Sequence, residues 1–117
     1  ESMASVLDLP SETMEDLDLY DNRINHISSL VNQLVRLKNL DLSFNKIKNI
    51  KNIDKLVELE NLYFVQNKIS EIKNLSTLKK LKNLELGGNR IAEILPEMLQ
   101  LPSITQLWLG ENRILIT

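Results

Sequence analysis

The apolar positions of this chain keep a fixed rhythm. Five blocks, Leu17–Ile24, Leu40–Ile47, Leu62–Ile69, Leu84–Ile91 and Leu107–Ile114, share one order: leucine, a free position, leucine, two free positions, asparagine, a free position, isoleucine. Phe64 replaces one of the leucines. Asn22, Asn45, Asn67, Asn89 and Asn112 mark the register and stand 23, 22, 22 and 23 residues apart. An apolar side chain also recurs eight residues before each asparagine, from Met14 to Ile104, and five after it in the first four blocks, from Ile27 to Ile94. Alternation over leucine-x-leucine predicts a short strand whose leucines point inward. Between strands, Ile53-Leu56-Leu59 and Leu75-Leu78-Leu81 recur at every third residue. That spacing predicts a turn or two of tight helix with one buried edge.

A period of this length with this pattern is the signature of a leucine-rich repeat, whose units bury their apolar sides only against their neighbours. The expected fold is an α/β solenoid: a right-handed curved stack with a parallel β-sheet on the concave face and short 3-10 or α turns on the convex face. Residues 1–13 fit the register poorly and are expected to form an N-terminal cap or partial repeat; residues 14–117 hold five repeats, the last one truncated. The first connection, Leu30-Leu34-Leu37, is one residue longer than the next two, and the fourth carries Pro96 and Pro102. Pro102 ends any helix that reaches it, so the backbone is expected to depart most over 95–103. Ile114-Leu115-Ile116 stops in mid-repeat. This predicts a fragment of a longer repeat protein, with an open end that invites self-association through the uncapped C-terminal repeat.

Composition narrows the chemistry. With 43% hydrophobic but only 4% aromatic residues among 117, the core must be built from leucine, isoleucine and valine. The absence of cysteine excludes disulfides, a catalytic thiol and thiolate metal sites, and fits a reducing compartment. No apolar run is long enough to span a membrane, and residues 1–13 lack the features of a secretory signal. Asn74-Leu75-Ser76 has the form of a glycosylation acceptor and is read as accidental. His26 is the single histidine, so no nucleophile–base pair can be assembled, and the glycine patterns of phosphate and dinucleotide sites are missing. The reading is a non-enzymatic protein with no cofactor or metal.

The free positions of each strand decide what the surface offers. The asparagine column, carrying both donors and an acceptor, is read as scaffold that satisfies backbone groups where each strand leaves the sheet. The slots six, four, two and one residues before each asparagine are expected to line the concave face. Of these twenty, six are Asp or Glu and none is Lys or Arg, although the chain holds 14 cations. An acidic concave face follows, which argues against gripping nucleic acid there. The slot four before the asparagine is the sharpest: Asp18, Asp41, Tyr63, Glu85 and Trp108. Exposed aromatics among charges are typical anchors of protein interfaces, and Tyr20 and Phe44 extend the set. The glycines Gly87, Gly88 and Gly110 beside this row would let a partner approach closely, or simply serve the turns. A basic row, Arg23, Lys46, Lys68, Arg90 and Arg113, follows the asparagines. It is read as long stems shielding the core and pairing with Asp21 or Glu111, in preference to an anion site.

Taken in order, the strings LDLYDNRI, LDLSFNKI, LYFVQNKI, LELGGNRI and LWLGENRI resemble consecutive repeats of the protein phosphatase 1 regulatory subunit 7 family. The resemblance runs from about Met14 to Ile114 and covers about five of the family's roughly dozen repeats. It implies a curved leucine-rich-repeat regulatory subunit of nucleus and cytoplasm that binds the phosphatase catalytic subunit through concave-face side chains. On this chain the family's contact column falls on Asp41, Tyr63, Glu85 and Trp108, with Asp18 continuing it one repeat earlier. The alternative from the residues alone is a generic leucine-rich-repeat adaptor that binds a different basic protein ligand.

Overall fold

Among the described residues, five three-residue strands, one from each repeat, pair in sequence order into a single parallel sheet: β1 (Asp16–Asp18), β2 (Asn39–Asp41), β3 (Asn61–Tyr63), β4 (Asn83–Glu85) and β5 (Gln106–Trp108). The structure is a computed structural model, and it describes residues 12–96 and 100–114. The register sets Leu17, Leu40, Leu62, Leu84 and Leu107 on one line across the sheet. Backbone pairing continues past each strand: Leu42 donates to the Tyr63 carbonyl at 2.8 Å, Phe44 to that of Val65 at 2.7 Å, and the other repeats follow suit. The chain is therefore the parallel-strand leucine-rich-repeat solenoid that the periodicity predicts.

Its core is one aliphatic column. Leu40, Leu62 and Leu84 of the central strands are buried together with Leu42, Phe64, Leu86 and the isoleucines Ile47, Ile69 and Ile91. Their counterparts Leu17, Leu19, Leu107 and Leu109 in the end strands are only half-buried. Burial of this kind contributes roughly 1.5–3 kcal/mol per large aliphatic side chain.

The asparagine column is scaffold, as expected. Asn45 shows the arrangement: its amide nitrogen donates to the carbonyls of Leu42 and Leu19, both at 3.0 Å, and its oxygen accepts from the Ile24 and Asn22 N–H groups at 2.8 and 3.0 Å. Asn67, Asn89 and Asn112 repeat the bonds to their own repeat and to the preceding one. A second pair was not singled out from the sequence. Asn52 and Asn74, with φ of 59° and 62°, each donate at 2.7 Å to the carbonyls of Ile27 and Ile50 in the repeat before. Asn74 therefore has a backbone role of its own.

The convex side is built from short turns of the expected kind. Among the first three connections, the longer first one alone forms a 3-10 helix, Ser29–Gln33, with the Ser28 hydroxyl accepting from Leu30 N–H at 3.2 Å. In the next two, Leu56 donates to Ile53 and Leu59 to Leu56, both at 3.0 Å, then Leu78 to Leu75 and Leu81 to Leu78 at 3.0 and 3.2 Å. These bonds follow one another end to end without overlapping, which makes a chain of single turns and not a helix. Around Pro102 the rhythm holds, since Leu101 is buried and accepts from Ile104 N–H at 3.1 Å. The predicted departure over 95–103 falls partly on residues 97–99, outside the described residues. The N-terminal cap, apart from Glu12 and Thr13, and the open end at 115–117 also lie outside them.

One further row runs along the sheet margin. Seven residues before the first four asparagines stand Glu15, Lys38, Glu60 and Lys82, alternating in sign, with Thr105 at the fifth. Lys38 lies 3.6 Å from Glu15, and Lys82 lies 3.5 Å from Glu60.

Candidate functional site

Alternation along a three-residue strand turns its first and last side chains to the face opposite the leucine column. The parallel register then places Asp18, Asp41, Tyr63, Glu85 and Trp108 side by side on one line across five strands. Trp108 is 57% exposed. Asp18 is exposed as well, while Asp41, Tyr63 and Glu85 are half-buried. Tyr20 and Phe44 meet just beyond the strands, 50% and 45% exposed, with ring centroids 5.1 Å apart. The five strand residues chosen from the sequence thus share one line across the sheet, and Tyr20 and Phe44 touch each other beyond it.

The carboxylates are held in place. Asp18 accepts from Tyr20 N–H at 3.0 Å and Asp41 from Ser43 N–H at 2.9 Å, each through one oxygen. Glu85 accepts from the Asn83 amide at 3.2 Å. Beside them Asn39 donates to Asp16, and Asn61 donates to Asn39 at 2.6 Å. The Asn83 side-chain oxygen is buried and accepts no hydrogen bond. Among the described residues no group of three or more His, Asp or Glu converges as a metal site, so the adjacent Asp18 and Asp41 stand as a pair. His26 is exposed, with Nδ1 2.8 Å from Asn25 Oδ1. The two carboxyls held below their ordinary range, Asp54 by the Asn32 amide and Glu58 by the Lys80 ammonium, lie in the connection between β2 and β3.

Two expectations need correction. Ser43 was assigned to the concave surface, yet it is 4% exposed, and its hydroxyl accepts from Val65 N–H at 3.1 Å. It therefore belongs to the scaffold. Glu111 was expected to pair with the basic row, yet it makes no ion pair among the described residues. What the structure does show of that row is backbone order: Lys46, Lys68, Arg90 and Arg113 donate their N–H groups to Ile24, Ile47, Ile69 and Ile91 at 2.7–2.9 Å.

The sequence also missed a backbone feature. The residue before each asparagine, Asp21, Phe44, Gln66, Gly88 or Glu111, has φ between 57° and 71°. This left-handed step carries the chain out of the sheet so that the asparagine can turn inward. For a non-glycine residue it costs about 1–2 kcal/mol. Gly88 is thus explained by the turn. Gly110 is not, since a side chain there would meet nothing within 4 Å. The three glycines floor an open hollow of about 320 Å³ between Val65, Glu85, Trp108 and Glu111.

Comparison with known proteins agrees with this architecture. Residues 80–101 match the family model described as Leucine Rich Repeat. Protein phosphatase 1 regulatory subunit SDS22 of Saccharomyces cerevisiae is 59% identical over 54 residues, which is 46% of this chain and 16% of that protein. The chain thus spans well under two thirds of this relative's length. Among solved structures, an internalin of Listeria monocytogenes superposes with a TM-score of 0.80 at 29% identity, covering 88% of this chain and 30% of that one. A leucine-rich-repeat protein of Leptospira interrogans does so with a TM-score of 0.80 at 32% identity, covering 85% of this chain and 26% of that one. Repeat chemistry, strand register and these likenesses converge on one statement: the chain is a leucine-rich-repeat solenoid, similar over nearly half its length to a protein phosphatase 1 regulatory subunit.

Proposed function

We propose that the protein is a non-enzymatic scaffold that binds the catalytic subunit of protein phosphatase 1 through its acidic and aromatic concave face. The observation that carries this reading is the single line Asp18–Asp41–Tyr63–Glu85–Trp108. It joins anchored carboxylates to the exposed Trp108 ring and the half-buried Tyr63 ring on one sheet, the mixture from which interface anchors are made. The partial identity to a regulatory subunit of that phosphatase supports the choice of partner. Tyr20 and Phe44 supply a second aromatic station. The negative face disfavours nucleic acid, whose phosphates it would repel. No helix among the described residues is long and apolar enough to cross a membrane. The proposal includes a nuclear and cytoplasmic location.

A pull-down of the phosphatase catalytic subunit checks this. The parent chain should retain it, and the double variant Glu85→Lys plus Trp108→Ala should not; equal retention by both would overturn the reading. A second reading, an adaptor for a different basic protein, draws on the fact that the identity covers only 46% of the chain. It predicts that the parent chain ignores the phosphatase yet holds another basic protein that Glu85→Lys releases.

A further inference from the structure

The hollow beside Trp108 is shaped for something narrower than a whole protein surface. Glu85 and Trp108 are direct partners on β4 and β5, so a carboxylate stands next to a 57% exposed indole. Glu111 and the apolar Val65 line the same hollow. The floor is backbone, because Gly87, Gly88 and Gly110 carry no side chains. Beyond Gly110 the space is open, and the Gln66 side chain lies across Gly88. No Lys or Arg borders this hollow of about 320 Å³, and neither Glu85 nor Glu111 makes an ion pair among the described residues.

We propose that this hollow is a socket for one arginine side chain of the protein partner. The proposal rests on the concave-face reading above and states what enters at its Trp108 end. Two unneutralised carboxylates beside an exposed ring face call for a cation, since an apolar anchor would strip both of water without replacing it. Arginine fits better than lysine. Its planar guanidinium stacks on an indole while its in-plane N–H groups still reach carboxylates, whereas an ammonium holds its water more tightly. The aliphatic stem then lies along Val65.

Trp108 is the sole tryptophan, so its emission and its indole N–H resonance both report on the socket directly. Titration with N-acetyl-arginine amide should give a saturable change, weaker with N-acetyl-lysine amide and absent with the neutral analogue N-acetyl-citrulline amide. Glu85→Gln and Glu111→Gln should each weaken the arginine response roughly tenfold, as expected for a lost charge-assisted contact. Gly110→Leu points its side chain into free space, so it should abolish the response and leave the circular dichroism and melting temperature unchanged. An equal response to citrulline amide, or no saturable response to arginine amide, would overturn the socket. The phosphatase pull-down separates the two ideas. Retention of the phosphatase without arginine recognition removes the socket and leaves the column, while arginine recognition without retention removes only the phosphatase.

Discussion

Asn67 and Asn22 occupy the same slot of the repeat but are bonded very differently. Asn67 is 7% exposed, donates to Leu42 and Phe64 carbonyls at 2.9 and 3.1 Å, and accepts from Ile47 N–H at 2.9 Å. The Asn22 side chain is half-buried and, among the described residues, makes one bond, to the Tyr20 carbonyl at 3.0 Å. Removing Asn67 strands buried backbone groups, so Asn67→Ala should cost roughly 2–4 kcal/mol in urea unfolding, against under about 1 kcal/mol for Asn22→Ala. Asn67→Asp should be worse than Asn67→Ala, because a carboxylate would face the two carbonyls. The asparagine role was legible in the sequence because few side chains can both donate and accept at one recurring turn. The burial of Ser43 was not. It depends on the Val65 N–H arriving from the next repeat, which no spacing within one repeat reveals.

At the scale of the element, the step from strand to turn sets the limits on substitution. Gly88 sits at φ 71°, and a Cβ there would lie 2.4 Å from the movable end of Gln66. Gly88→Ala should therefore lower stability by about 1–2 kcal/mol, mostly from the backbone. Gly110→Ala should shift the melting temperature little, since its surroundings are empty. The strands were readable because two leucines flanking one residue can share a buried face only if the chain is extended. The short convex turns were readable because a three-residue apolar period suits single tight turns as well as a 3-10 helix; the sequence did not tell the two apart. What separates them is a backbone event, the left-handed Asn52 and Asn74 that tie each connection to the repeat before it. The left-handed row before the column asparagines was hidden for a similar reason: only Gly88 among its five members is a glycine.

The whole molecule is held together in one dimension, each repeat touching its neighbours and nothing further along. Protection of backbone amides from hydrogen exchange should therefore be highest in β2, β3 and β4 and fall toward β1 and β5, whose leucines are only half-buried. Uniform protection across the five strands would contradict this. Such stacks face a particular hazard, because near-identical repeats can assemble out of order. The marginal row of Glu15, Lys38, Glu60 and Lys82 bears on it directly. In the native order opposite charges are neighbours. A chain that skipped one repeat while collapsing would instead set Glu15 on Glu60 or Lys38 on Lys82. The alternation is a parity check: too weak to hold the fold by itself, it still tells an odd neighbour from an even one, which the interchangeable leucines cannot do.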